Sequence, residues 1–342
     1  MPKSSAGRLR SIWLVIVLLL LAAVYVSLTN GAFDLAISDV VRTLLRIDPV
    51  PEHDLVIFDF RLPRIVIAVL VGCSLGVAGA VVQGITRNGL ADPGILGIHA
   101  GAGAAIVCFM FFYEGQISGT GWFAVMAKPL FGLAGGLGAA LVLYLFSWRN
   151  GTLDPQRLIL VGIATGSGLG AVTLYLSLKM NPNDFEMATV WLTGSIWNAD
   201  WDHIVSMLPW MVVLIPLILW KAKDLDLLQS GDDVAKGLGV PTEAARNILL
   251  LSSIGLVSAS VSVSGSIGFV GLIAPHIAKR LAGFQYSLII PLSGAVGMLL
   301  VVVADFIAKT VFVPVELPVG IVISLIGVPY FFHLLARAKT KI

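Results

Sequence analysis

Arg61-Leu62-Pro63-Arg64 opens an apolar, glycine-rich run that carries no charge until Arg87, and the loop Asn88-Gly89-Leu90-Ala91-Asp92-Pro93-Gly94-Ile95-Leu96-Gly97 leads directly into a second apolar run. The polar groups sit at the ends of these runs. Inside a bilayer the backbone has no water to bond, so an uncharged stretch of this length specifies a spanning helix that satisfies its own N–H and C=O groups. Asp92-Pro93 reads as an N-cap followed by proline at the first helical position, which predicts that the next helix starts there.

Outward from this stretch the same pattern fills the chain. Of 342 residues, 57% are hydrophobic and only 12% charged, with a mean hydropathy of +0.94. That balance excludes a soluble globule. Apolar segments near 11–29, 62–84, 95–113, 122–146, 157–178, 201–220, 247–265, 267–282, 287–311 and 317–336 predict an all-α polytopic membrane protein of ten spans, a single domain over 1–342. The first run follows Lys3, Arg8 and Arg10 as a signal peptide would, but no small-residue cleavage pattern ends it, and it reads as a retained span. Placing both termini in the cytoplasm puts the basic residues inside by roughly two to one. A net charge of +2, with basic residues scattered over loops, argues against a nucleic-acid partner and leaves membrane lipid as the general one.

The cysteines, Cys73 and Cys108, lie in apolar runs without a Cys-x-x-Cys spacing and read as small buried hydrophobes. There is no Gly-x-x-x-x-Gly-Lys-[Ser/Thr] loop and no His-Glu-x-x-His. No set of His, Cys and Asp has ligand spacing, so no metal site, no directly bound cofactor and no catalytic residue is expected, and any ATP hydrolysis belongs to another chain. Glycines are dense in three spans: Gly72, Gly76 and Gly79; Gly132, Gly135, Gly136 and Gly138; Gly162, Gly166, Gly168 and Gly170. They predict close helix packing, or else a helix that lines a path. Thr165 and Ser167 make the third of these spans the candidate pathway helix. Segments 62–113 and 247–282 share a small-residue span, a short break and a proline near the next span, a loose parallel that would make them inverted repeats.

Three polar features need an account. Arg61 and Arg64 stand one turn apart on the side where basic residues are sparse, and they suit either lipid phosphates or the carboxylates of an external protein. Lys309, at the outer end of another span, would complete that platform. The cytoplasmic segment 221–246 contains Gly231-Asp232-Asp233-Val234-Ala235-Lys236-Gly237-Leu238-Gly239, which suits a short surface helix with Asp232 or Asp233 as cap and Gly239 as terminator, placed to dock on a cytosolic partner. Asp305 and His276 lie within apolar runs and count as intramembrane polar groups with a functional role by default.

Arg61-Leu62-Pro63-Arg64, the Asn88–Gly97 loop, Gly268-Phe269-Val270-Gly271-Leu272-Ile273-Ala274-Pro275-His276 and Glu316-Leu317-Pro318-Val319-Gly320 together give the chain a resemblance to the FecCD-type permeases, the membrane subunits of ATP-driven importers for iron–siderophores, haem and cobalamin. The resemblance covers nearly the whole sequence. It implies a ten-helix permease subunit paired with a second permease, two copies of a cytosolic ATP-binding subunit that carries ATP and Mg, and an extracytoplasmic substrate-binding protein, all at the cell membrane of a bacterium. It further implies that Arg61, Arg64 and Lys309 meet glutamates of the binding protein, and that Asp232, Asp233, Ala235 and Gly239 belong to the loop that couples to the ATPase. Iron(III)–siderophore import by alternating access is the expected function, with cobalamin or haem import as the alternative. An ion-coupled carrier would predict paired acids near the midplane, which the sequence lacks.

Overall fold

Every apolar run forms a helix, as a lipid environment requires of backbone that cannot bond to water. The computed structural model describes residues 3–31, 35–47, 50–113, 122–149, 152–312 and 315–339. Helix α1 (Lys3–Thr29) is followed by short α2 (Ile37–Leu44) and α3 (Pro51–Asp54). A π-helical turn at Leu55–Arg61 then runs unbroken into α4 (Leu62–Ile85). Next come α5 (Ile98–Tyr113), α6 (Trp122–Ser147), α7 (Pro155–Ser177), α8 (Pro182–Leu192) and α9 (Trp201–Trp220). A two-residue antiparallel ribbon pairs Trp148–Arg149 with Thr152–Leu153 between α6 and α7. Short α10 (Ala222–Leu228) and α11 (Asp232–Gly237) precede α12 (Thr242–Ser264), α13 (Val270–Ala282), α14 (Tyr286–Thr310) and α15 (Val319–Lys339).

The chain is an all-α polytopic membrane protein. Among the described residues eight helices are long and apolar enough to cross a bilayer. The other two predicted spans are also helical, but α5 has 16 residues and α13 has 13, fewer than the roughly 20 that a full crossing takes. The end that carries Arg64 and Lys309 is called outer below, following the charge-based orientation.

The start of the third span differs from expectation. Asp92 does act as a cap, accepting from Gly94 N–H at 2.6 Å, but what it caps is a single 3₁₀ turn, Pro93–Leu96. Gly97 then reverses the chain at φ +78°, and α5 begins at Ile98. Only glycine reaches that φ without strain.

Helix α4 is the axis of the packing. It contacts α12, α13 and α14, and its glycines are the points of closest approach. A Cβ on Gly72 would collide with the Gly297 backbone of α14, one on Gly76 with the Ser293 backbone, and one on Gly79 with the Gly271 backbone of α13. Gly101 of α5 and Gly135 of α6 meet in the same way. Small residues let backbones touch where lipid leaves no hydrophobic drive to association.

Candidate functional site

At the outer end the structure gathers Arg61, Arg64 and Lys309 around one cavity of about 790 Å³, whose wall also includes Glu52, His53, Trp197 and Glu316. None of the three cations stands out into solvent. Arg61 is 7% and Lys309 9% exposed. Arg61 donates to Leu28 O, and Lys309 donates to Ser27 O at 2.9 Å and to Ser27 Oγ at 2.8 Å. Those carbonyls are among the last of α1, which have no partner within their own helix, so both cations complete a helix C-terminus and sit at its negative dipole end. Arg64 holds two carboxylates: its Nε donates to Asp305 Oδ1 and its Nη1 to Glu316 Oε2, each at 2.8 Å. Asp305 is fully buried on α14, whereas Glu316 lies on the loop before α15 with a third of its side chain exposed.

The intramembrane aspartate noted in the sequence is thus an ion-pair partner of Arg64. His276 packs edge-on against Tyr330 at 5.7 Å between ring centres. The sequence reading did not assign Ser27, Leu28 or Glu316 to this site. Glu316 stands in a motif singled out above, but its partner lies 252 positions away.

At the inner end Asp232 is not a helix cap; α11 follows Gly231 with no side-chain cap. Asp232 is instead the centre of a charge cluster. Arg246 of α12 donates to both its oxygens, at 2.8 and 2.9 Å, and Arg87, just past α4, pairs with it as well. Arg87 also bonds Leu228 O, and Arg246 also bonds Glu243 at 3.1 Å. Burial alone would raise the Asp232 carboxyl, but the two guanidiniums outweigh it and hold it below the usual carboxylate range.

This cluster mounts α11 on the ends of α4 and α12. Gly239 ends α11 at φ +83°, with Gly239 N–H donating to Lys236 O and Val240 N–H to Ala235 O, a Schellman closure. Ala235 is buried inward, while Asp233, Val234 and Leu238 face out.

Helix α7 buries only Leu158, Gly162, Thr173 and Ser177. Ser167 is exposed, Thr165 half-buried beside Gly97, and Gly168 and Gly170 have no neighbour within 4 Å. Thr165 and Ser167 do not line the separate groove of about 620 Å³ that is walled by Thr193, Ser266, Gly268, Gly320 and Ser324. The two broken helix pairs, α4–α5 and α12–α13, meet near their breaks, where Ser266 Oγ lies 3.1 Å from His99 Nδ1. Gly72-Cys73-Ser74-Leu75-Gly76 has the letters of a nucleophile elbow, but Ser74 is fully buried within a continuous helix, not raised on a strand-to-helix turn. Among the described residues no three His, Cys, Asp or Glu side chains converge on a metal site.

A model of the FecCD transport family matches residues 18–337. The iron-uptake system permease protein FeuC of Bacillus subtilis is 51% identical over 321 residues, covering 94% of this chain and 96% of that protein. The iron(3+)-hydroxamate import system permease protein FhuG of the same organism is 42% identical over 322 residues, covering 94% and 95%. The Fe(3+) dicitrate transport system permease protein FecD of Escherichia coli is 38% identical over 288 residues, covering 84% and 87%. A metal-chelate type ABC transporter solved in an inward-facing conformation superposes with a TM-score of 0.82 at 28% identity, over 96% of this chain and 99% of that one. The family model runs from within α1 to within α15, and this chain therefore belongs to the FecCD transport family.

Proposed function

We propose that this chain is a permease subunit of an ATP-driven importer that carries iron(III)–siderophore complexes across a bacterial cell membrane. The observation that carries the reading is the near full-length similarity to permeases named for iron or iron-chelate import. The two charged ends give it a mechanism. The outer cavity with Arg61, Arg64 and Lys309 receives carboxylates of a substrate-binding protein. The inner tip, with Asp233, Val234 and Leu238 exposed on a mount fixed by Asp232 and Ala235, seats in an ATP-binding subunit. Two such subunits bind ATP with Mg and hydrolyse it, and their closure moves α11 and, through Arg87 and Arg246, the inner ends of α4 and α12.

The path lies between this chain and a second permease. A ferric siderophore is too large and polar for the packed glycine seam of α4, whereas α7 is open around Ser167, Gly168 and Gly170. This chain binds no cofactor and does no covalent chemistry.

The test is radio-iron uptake from a siderophore panel in cells lacking this chain. Wild type restores uptake of at least one ferric siderophore, and Arg61→Glu with Arg64→Glu, at equal membrane abundance, does not. Restoration of cobalamin or haem uptake with no iron response would overturn the substrate assignment.

A further inference from the structure

Three cations, Arg61, Arg64 and Lys309, line the outer cavity with the carboxylates of Glu52 and Glu316, and Arg64 pairs with two of the chain's own carboxylates, Glu316 in the wall and Asp305 buried behind it. These two carboxylates are not equivalent. Asp305 is 1% exposed near the outer end of the packed helix α14, and withdrawing it would leave a buried charge without its cation, the most costly arrangement for an ion. Glu316 is 33% exposed on a short loop and can turn into water at little cost, since solvent takes over part of what the ion pair supplies.

The chain after Glu316 is tied on both sides of Pro318. Leu317 N–H donates to Ala308 O of α14 at 3.3 Å, and two residues past Pro318 the Gly320 N–H donates to Gly194 O at 3.0 Å. Gly194 belongs to the segment after α8 that is threaded against the break after α12: Ser195 N–H donates to Ser264 O at 2.9 Å, and a Cβ on Gly265 would strike Trp191 O. Gly320 and Ser266 both face the groove beside that junction. Four residues of chain therefore connect the outward donor of Arg64 to the outer mouth of the groove.

We propose that Glu316 is an internal stand-in for the docking partner's carboxylate: it occupies Arg64 in the undocked permease, an acidic side chain of the substrate-binding protein displaces it, and its release loosens the Gly320–Gly194 contact at the head of α15. This rests on the docking reading given above. It adds that the same residue limits affinity for the partner and reports docking to the groove.

The experiment uses the assembled transporter in lipid nanodiscs, with its own substrate-binding protein as the probe. Glu316→Gln removes the competing charge, and the partner binds about two- to fivefold tighter, the size of a half-exposed ion pair. Glu316→Asp, which keeps the charge, stays near wild type. Hydrogen exchange without the partner provides a second reading: the Gly320 amide exchanges faster in Glu316→Gln than in wild type, and adding the partner to wild type gives the same acceleration. Weaker binding of Glu316→Gln at unchanged melting temperature would overturn the proposal and make Glu316 a residue that positions Arg64. Unchanged exchange at Gly320 would also overturn it. If the partner does not bind wild type at all, the docking reading falls, and exchange at Gly320 in Glu316→Gln still decides whether Glu316 holds that contact.

Discussion

Helices α4 and α7 carry nearly the same sequence signal, an apolar span studded with glycines, and the fold uses them in opposite ways. In α4, Gly72, Gly76 and Gly79 each lie against another backbone, and the helix is buried along most of its length. In α7, Gly162 packs and Gly166 makes a loose contact with Gly97, but Gly168 and Gly170 meet nothing. The ends differ as well. Arg64 ties α4 to Asp305 and Glu316 at one end, and Arg87 ties its exit to Asp232 at the other, while the start of α7 has the local cap of Asp154 on Gln156 and Arg157 N–H and the ion pair of Asp154 with Arg157. A glycine in a span thus signals close approach only when a partner backbone is present. Without one it marks a smooth face that another subunit or a passing solute can use.

The sharpest way to break this contrast is a large side chain on each helix. Gly76→Leu drives a Cβ into the Ser293 backbone, which must move, and destabilises the protein by about 3 kcal/mol or more. The expected result is loss of folded protein from membranes, read by abundance and by melting in detergent. Gly170→Leu on α7 meets open space and changes melting by less than about 0.5 kcal/mol, the range of ordinary surface changes. If the α7 face lines the path, that same variant lowers radio-iron uptake at equal abundance. Wild-type uptake in Gly170→Leu would remove this face from the transport route.

A thiol probe sharpens the contrast at single residues. Ser167→Cys on exposed α7 reacts with a small water-soluble maleimide, and Ser74→Cys, in the fully buried seam of α4, does not. Reaction at both positions would mean that the α4 seam opens.

The smallest expected effect concerns the inner tie of α4. Asp232→Asn weakens the bonds to Arg87 and Arg246 and costs about 1 kcal/mol, read by melting and by faster proteolysis in 231–240. Because the folded carboxyl lies below its unfolded value, the stability it contributes is complete above the ordinary carboxylate range, near pH 4 and higher. It disappears as pH falls through the depressed folded value. The Asn variant should lose that acid-dependent component of unfolding.

Much of this was legible in the sequence because membrane folding is a local constraint. Uncharged runs of fixed length had to become helices, and Asp92 and Gly239 mark a cap and a helix end whose chemistry acts over a few residues. What the site lost in translation was pairing. Arg61, Arg64 and Lys309 line one cavity, but their engagement with Leu28, Asp305, Glu316 and Ser27 joins positions up to 282 residues apart. Asp232 looked like a cap because a cap is the nearest use for an aspartate at a helix start. Two arginines from elsewhere in the chain, Arg246 of α12 and Arg87 just past α4, bind it in place of the backbone N–H groups.

By itself, then, the sequence determined the class of fold, the positions of the helices and the sorting of charge to their ends, since each follows from the cost of exposing a polar group to lipid over distances of one helix. The tertiary structure alone decided which glycines are contacts and which are open, and which cations are already engaged by the chain's own oxygens. Both depend on what arrives from elsewhere in the chain, and close packing and ion pairing are properties of two surfaces that no single stretch of sequence contains.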